Sequence, residues 1–368
     1  MKKKIIDLFA GCGGFSVGFE QAGFDIVKAV EIDGMIAESY AHNHPKTKML
    51  VEDIANVDNE KYFSKHEADV IIAGPPCQGF SMAGARIRGK TFKDDPRNYL
   101  FKHYLNVVRL VKPDFFVFEN VKGILTMKNG EIFNEIIKEF EDKGNFDGTK
   151  YFVSHRVVKA LEFGIPQKRE RVIIFGSRDK EISFNEYFEK TKEKMEKENP
   201  SFFASVTVWD TISNLPAPTK NGEISNPKAK TNFQKYLASD KHKITNHLAP
   251  NHSEIAVQRM MQIKNGENFT ALKEAIKTVH SGSYGRLEKD GVSPTIVTRF
   301  DTPSGGHFIH PAEHRTLTPR EAARIQSFPD GFVFTGTKSS ICKQIGNAVP
   351  PKLAYFIAEI INHIYAKK

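Results

Sequence analysis

The sequence predicts an α/β protein: a parallel sheet wrapped by helices, followed by a second, smaller domain. Three observations predict it. Residues 4–176 alternate short apolar runs with helical patterns, the signature of βαβ units. Each apolar run stops near a polar or reactive residue, as strands do when their carboxyl ends line a ligand crevice. After Gly176 the alternation gives way to a Lys/Glu-dense stretch, then to Pro, Asn, Lys and His without periodicity.

Strands are expected at Lys4–Leu8, Ile26–Glu31, Lys48–Val51, Asp69–Ala73 and Phe115–Glu119, with a further pair at Tyr151–Lys159 and Arg171–Gly176. Helices are expected around Phe15–Ala22, Asp33–His42, Tyr99–Val111 and Gly130–Lys143. Residues 179–199 read as a solvated helical face, and 216–250 as loops opening a second domain. Order returns at Arg315–Phe328 and in a terminal helix near Pro351–Ile364, which follows two prolines. The expected division is a first domain over 1–177 and a second over 178–313. Residues 314–368 form a hinge and a C-terminal helix returning to the first domain.

The chain has 368 residues, 40% of them hydrophobic, enough for a large core. Its net charge of +9 and pI near 9.2 make it a candidate for a polyanionic partner. No apolar run reaches membrane-spanning length, so no membrane association is expected. Met1-Lys2-Lys3-Lys4 leads straight into a strand without a signal-peptide pattern. The three cysteines, Cys12, Cys77 and Cys342, lie far apart and form neither a disulfide framework nor a CxxC metal pattern. A reducing, cytoplasmic setting and no metal are expected.

The stretch Gly74-Pro75-Pro76-Cys77-Gln78-Gly79-Phe80 presents a thiol on a stiff elbow just past a buried strand. Prolines fix the turn and glycines admit close approach. A thiol so placed suits nucleophilic attack. The other strand ends carry Asp7-Leu8-Phe9-Ala10-Gly11-Cys12-Gly13-Gly14, Glu31, the pair Glu52-Asp53, and Glu119-Asn120-Val121. The glycine-rich turn is neither the dinucleotide GxGxxG nor a phosphate-binding GxxxxGK[ST] loop. An acid at the second strand's end fits two ribose hydroxyls, and one after the third fits an adenine amino group. Alone, each would be an ordinary strand end or helix cap. Together they suggest an adenosyl cofactor without a pyrophosphate, and S-adenosylmethionine fits.

At this point the chain resembles the DNA (cytosine-5)-methyltransferases, the bacterial restriction–modification type in particular. The resemblance rests on Asp7–Gly14, Glu31, Asp53, Gly74-Pro-Pro-Cys-Gln-Gly-Phe-Ser81, Glu119-Asn-Val121 and Gln167-Lys-Arg-Glu-Arg171. It continues through Arg315-Thr-Leu-Thr-Pro-Arg-Glu-Ala-Ala-Arg324 and Gln344-Ile-Gly-Asn-Ala-Val-Pro-Pro351. It implies a Rossmann-like S-adenosylmethionine-dependent methyltransferase sheet (1–177) and a target-recognition domain (178–313). It also implies methyl transfer to C5 of a cytosine flipped out of a specific duplex sequence. The product cofactor would be S-adenosylhomocysteine, the working unit a monomer, and a restriction endonuclease a functional rather than physical partner.

By resemblance and by chemistry, Cys77 is the nucleophile that adds to cytosine C6, since C5 becomes reactive only as an enamine. Its thiolate needs positive or helix-end surroundings, to which Arg169 and Arg171 could contribute. The resemblance gives Glu119 the N3 and 4-amino contact and makes Arg169 similar to the O2 contact. It implies cofactor contacts from Phe9, Ala10, Gly11, Gly13, Glu31, Ile32, Asp53, Ile54, Pro76 and Leu100, with Asn347 and Ala348 at the methionine end.

The basic, Gly-containing stretch after Cys77 suits a lid over phosphates, with Ser81, Arg86, Arg88, Lys90 and Arg97 as DNA contacts. Tyr284, Arg286 and Arg299 are the candidates within the recognition segment, and Thr298-Arg299-Phe300 is placed near the flipped base. Three rival readings are a tRNA cytosine methyltransferase on the same scaffold, a DNA-binding regulator without activity, and a dehydrogenase. The recognition insert, the complete motif set and the missing GxGxxG argue against them in turn.

Overall fold

The computed structural model describes residues 2–57, 59–75, 100–276, 278 and 281–367. The chain divides into two compact units. The first comprises Met1–Lys159, Glu170–Lys197 and Leu353–Lys368, the second Ala160–Arg169 and Glu198–Lys352. Residues 314–352 thus belong to the second unit, and the terminal helix from Leu353 onward to the first.

The first unit is built on a seven-stranded sheet of β1 (Lys4–Leu8), β2 (Asp25–Glu31), β3 (Lys48–Val51), β4 (Val70–Ala73), β5 (Phe115–Val121), β6 (Tyr151–Lys159) and β7 (Glu170–Arg178). The order is β3-β2-β1-β4-β5-β7-β6. Strands β1 to β5 are parallel, and β7 runs antiparallel to both neighbours. The order reverses between β1 and β4, so the carboxyl ends of these strands border a topological switch point.

Helices α1 (Gly14–Gln21), α2 (Gly34–Asn43), α3 (Leu100–Val111), α4 (Glu131–Glu141), α5 (Phe184–Glu198) and α6 (Pro351–Tyr365) accompany the sheet. Asp33 starts α2 by accepting from the Met35 and Ile36 amides at 3.0 and 3.4 Å. Pro351 opens α6, where a missing N–H costs nothing. Asp69, expected in β4, precedes it. Its carboxylate is held by Lys3 Nζ (3.0 Å) and the Lys4 amide (2.7 Å) at the start of β1.

All four residues of β4 and Phe115–Phe118 of β5 are buried, as parallel strands covered on both faces must be. Helices α3 and α4 bring Tyr104, Val108, Ile136 and Phe140 into one cluster with Phe116 and Phe118. Phe116 and Phe140 have ring centroids 4.2 Å apart. Each such side chain taken from water contributes about 1.5–3 kcal/mol. Gly176 in β7 makes room for this cluster, since a Cβ there would sit 1.9 Å from the Phe116 ring.

In the second unit the strands are short. Gln167–Lys168 pairs in parallel with Ser293–Pro294, and Ile224–Ser225 pairs antiparallel with Lys243–Ile244. The motif around Arg315–Arg324 is a buried polar hub. Thr318 and Glu321 cap the helix Pro319–Ile325 reciprocally. Arg315 grips both Glu321 oxygens at 2.8 Å. Burial raises the Glu321 carboxyl, but Arg315 outweighs it and pulls the group down to about 2. Arg324 forks onto Asp330 at 2.8 Å twice.

Lys352 closes the unit with its ammonium in an aromatic cage. Its Nζ lies 4.5 Å from the Phe202 ring centroid and 5.1 Å from those of Phe233 and Tyr236. Burial brings this amine down to about 7. Among the described residues, no helix is long and apolar enough to cross a membrane.

Candidate active site

At the end of β1 the chain turns through Phe9–Gly14, with Phe9, Gly11 and Gly13 at φ of 56°, 56° and 97°. Gly13 is doubly required, because a Cβ there would also lie 2.4 Å from His44 Nε2. The Gly11 amide donates to Glu31 Oε2 at 2.9 Å, and the Asp33 amide to Oε1 at 3.0 Å. The glycine turn and the acid at the end of β2 are therefore joined through backbone donors. Burial pushes the Glu31 carboxyl upward, against the two backbone donors.

Ile32, the next residue, is 64% exposed, a large apolar side chain left open at the sheet edge. Asp53 follows β3, half-buried, and accepts from the Ala55 amide at 3.0 Å. Ile54 is buried, while Phe9 and Leu100 are half-buried against the same core. Sequence reasoning assigned no role to Asp7, yet it is buried beneath this turn. It accepts from Ser16 Oγ at 2.6 Å, and Ser16 Oγ lies 2.7 Å from Tyr40 Oη. Burial pushes the Asp7 carboxyl up to about 7. The signal available was a carboxylate inside an otherwise apolar strand.

Strands β4 and β5 run in register with Ala73 opposite Phe118, so Glu119 stands at the sheet level where the chain leaves toward Cys77. Glu119 is buried and meets Arg171 of β7, whose Nε is 2.8 Å from Oε1. The contact is off hydrogen-bond alignment, so it is charge against charge. The register Val121↔Arg171 between β5 and β7 brings the two side chains together.

Arg169, expected beside the base at O2, is committed elsewhere. It is buried in the second unit and donates to the carbonyls of Ile296 (3.4 Å), Gly346 (3.2 Å) and Ala348 (2.9 Å). Asn347, exposed, ends the helix Lys338–Asn347, and Ala348, half-buried, caps it. Gln167 and Gln326, which sequence reasoning left without a role, join the same cluster.

Two of the expected DNA contacts are corrected by their surroundings. Arg286 is buried and donates to the carbonyls of Met260, Ile263, His310 and Glu313 at 2.6–2.8 Å. With its fifth N–H on His314 Nδ1 at 3.1 Å, the guanidinium is saturated, holds a fold and leaves no donors for a phosphate. Tyr284 is 9% exposed, packed with Met260, Ile263 and Ile309. Arg299 is exposed. Pro76, Cys77, Ser81, Arg86, Arg88, Lys90 and Arg97 lie outside the described residues. Of the other two cysteines, Cys12 and Cys342, burial pushes both thiols up to about 12.

Comparison with known proteins matches residues 3–363 to a family model described as C-5 cytosine-specific DNA methylase. The Type II methyltransferase M1.HphI of Haemophilus parahaemolyticus is 36% identical over 365 residues, covering 98% of this chain and 87% of its own. Type II methyltransferase M.FnuDI of Fusobacterium nucleatum is 36% identical over 370 residues, covering 99% and 96%. A crystal structure assigned as a DNA modification methyltransferase encoded within a prophage (E. coli) superposes with TM-score 0.76 at 30% identity, over 99% of this chain and all of that one. The S. pombe Dnmt2 methyltransferase shares the fold at TM-score 0.61 and 17% identity, over 99% of each chain.

Proposed function

The chain belongs to the C-5 cytosine-specific DNA methylase family, and from that premise we propose how its residues carry the reaction. It is a DNA cytosine-5 methyltransferase using S-adenosylmethionine. The proposal is that Cys77 forms a covalent adduct with C6 of a cytosine flipped out of duplex DNA, with Glu119 and Arg171 stabilising the charge that the addition creates. The observation that carries it is the buried Glu119–Arg171 pair, with Glu119 on β5 beside the strand leading to Cys77 and Arg171 on β7.

The residues at the carboxyl ends of β1, β2 and β3 fit an adenosyl group. Each Glu31 oxygen accepts one backbone N–H and keeps a lone pair for a ribose hydroxyl. Exposed Ile32 offers an apolar face to the adenine, with Phe9, Ala10, Ile54 and Leu100 assigned around it, Asp53 toward its amino group, and Pro76, outside the described residues, assigned to the same pocket. Gly11 and Gly13 let the backbone approach, and Asn347 and Ala348 are assigned to the methionine end. When bound, S-adenosylmethionine supplies an electrophilic methyl group.

The Cys77 thiolate adds to C6, and the C5–C6 π electrons move toward N3 and O2. Glu119, as the acid, hydrogen-bonds N3 and the 4-amino group, while Arg171 faces the charge on O2. C5 thereby becomes an enamine carbon. Once C5 carries the methyl group, loss of the C5 proton to a base and expulsion of the Cys77 thiolate restore the aromatic ring. The raised thiols of Cys12 and Cys342 support Cys77 as the nucleophile, since neither is ionised near neutral pH. No metal enters this scheme.

The relatives' description as Type II methyltransferases supports a modification enzyme; a restriction endonuclease as its functional partner, the bacterial cytoplasm and a monomeric working unit complete the proposal. The second unit is proposed to read the target sequence, with Arg299 toward DNA and Ser81, Arg86, Arg88, Lys90 and Arg97 on its backbone. Tritiated S-adenosylmethionine offered with duplex DNA or tRNA tests the reaction: label is expected in DNA, and label confined to tRNA would reject it. A 5-fluorocytosine duplex should be trapped covalently by the native enzyme. Equal trapping by Cys77→Ala would reject the nucleophile.

A further inference from the structure

Three buried polar side chains of the second unit, Gln167, Arg169 and Gln326, tie together two separate stretches of backbone. Gln167 Nε2 donates to Gln326 Oε1 at 2.6 Å, and Gln326 Nε2 donates to the Ile345 carbonyl at 2.7 Å. Gln167 Oε1 accepts from the Ile296 amide at 3.3 Å. Arg169 completes the set through its bonds to the carbonyls of Ile296, Gly346 and Ala348. The stretches 296–298 and 345–348 touch so closely that a Cβ on Gly346 would lie 2.6 Å from the Val297 carbonyl carbon.

We propose that Arg169 is a positioning residue that locks the last turn of the helix Lys338–Asn347, with its C-cap Ala348, to the Ile296–Thr298 loop, and so sets the affinity for the methyl donor before DNA is bound. The proposal rests on the assignment of Asn347 and Ala348 to the donor's methionine end. A fully buried guanidinium is costly to hold unless its donors are used, and here they bridge a helix C-terminus and a loop that no strand pairing joins. Fixing both in advance removes the ordering cost that a ligand would otherwise meet on binding. A group serving the base would act only once DNA is present. A group serving the turn acts on the protein alone.

Binding of S-adenosylhomocysteine, measured by calorimetry without DNA, separates the two roles. Arg169→Met is expected to weaken it about tenfold or more, with Arg169→Lys falling between that variant and the native protein. Gln326→Leu, which keeps the guanidinium, should weaken binding in the same direction and remains informative if Arg169→Met does not fold. Arg171→Lys should change this affinity less than twofold while slowing covalent trapping of a 5-fluorocytosine duplex. Native-like affinity in Arg169→Lys and Gln326→Leu, with trapping slowed instead, would overturn the proposal. Failure of the native protein to bind S-adenosylhomocysteine would strike the donor assignment itself.

Discussion

Arg171 Nε stands 2.8 Å from Glu119 Oε1, and both side chains are largely withdrawn from water. Glu119→Gln keeps the shape and removes the acid, so methyl transfer should fall by about 10²–10⁴-fold. Arg171→Met leaves a buried carboxylate without its cation, which should cost about 3 kcal/mol or more in urea unfolding. The double variant should recover part of that loss, since neither charge is then stranded. Strictly additive stabilities would mean that the pair is not coupled.

Gly11 and Gly13 share the left-handed backbone but differ in surroundings. A Cβ on Gly11 meets nothing within 4 Å, whereas one on Gly13 strikes His44. Gly11→Ala should therefore cost about 1–2 kcal/mol, the conformational penalty alone. Gly13→Ala should cost more, and His44→Ala in that background should return the clash portion. Urea midpoints for the two single variants decide the matter. Equal losses would remove His44 from the account.

Arg286 and Arg299 are expected to fail in different ways. Arg286→Met strands carbonyls of Met260, Ile263, His310 and Glu313, so it should lower the melting temperature of the protein. Arg299→Ala should leave melting unchanged and reduce the slope of log affinity for DNA against log salt by about one. A melting loss at Arg299, or an altered salt slope with native stability at Arg286, would reverse these roles.

Lys352 should make stability rise with pH above neutrality. The unfolded chain keeps this amine protonated up to its ordinary value of 10.5, the folded chain only to about 7. Between those values the unfolded state binds more protons, so stability climbs by up to about 1.4 kcal/mol per pH unit from this group. Below pH 7 the full penalty stands. Lys352→Met carries no such penalty, so its stability relative to the native protein should be most favourable at pH 6 and decline by pH 9. A difference that is flat across urea titrations at pH 6, 7.5 and 9 would show that the amine does not titrate there.

The strands were legible because parallel strands covered on both faces are written as unbroken apolar runs. Val70–Ala73 and Phe115–Phe118 need no partner to be recognised. Glu31 was legible too, since an acid ending such a run faces the sheet edge whatever surrounds it. The arginines were not. Arg169, Arg171 and Arg286 look alike in sequence, and what separates them is which carbonyls or carboxylates reach them. Those acceptors come from residues 127 or more positions away for Arg169, and from Met260–Ile263 and His310–Glu313 for Arg286. Tyr284 misled for a related reason: a Gly/Ser-rich neighbourhood reads as surface, yet its ring sits on Met260 and Ile309.

The second unit is assembled from two pieces of chain, the short run 160–169 and the long run 198–352. With target reading assigned to the second unit as proposed, transplanting specificity from one relative to another meets more seams than a single insert implies. A donor segment covering 198–352 alone would arrive with loops shaped for its own Gln–x–Arg pair and dock on the host's. Chimeras that also carry 160–169 keep lock and key from the same source, and should be the ones that retain a working donor pocket.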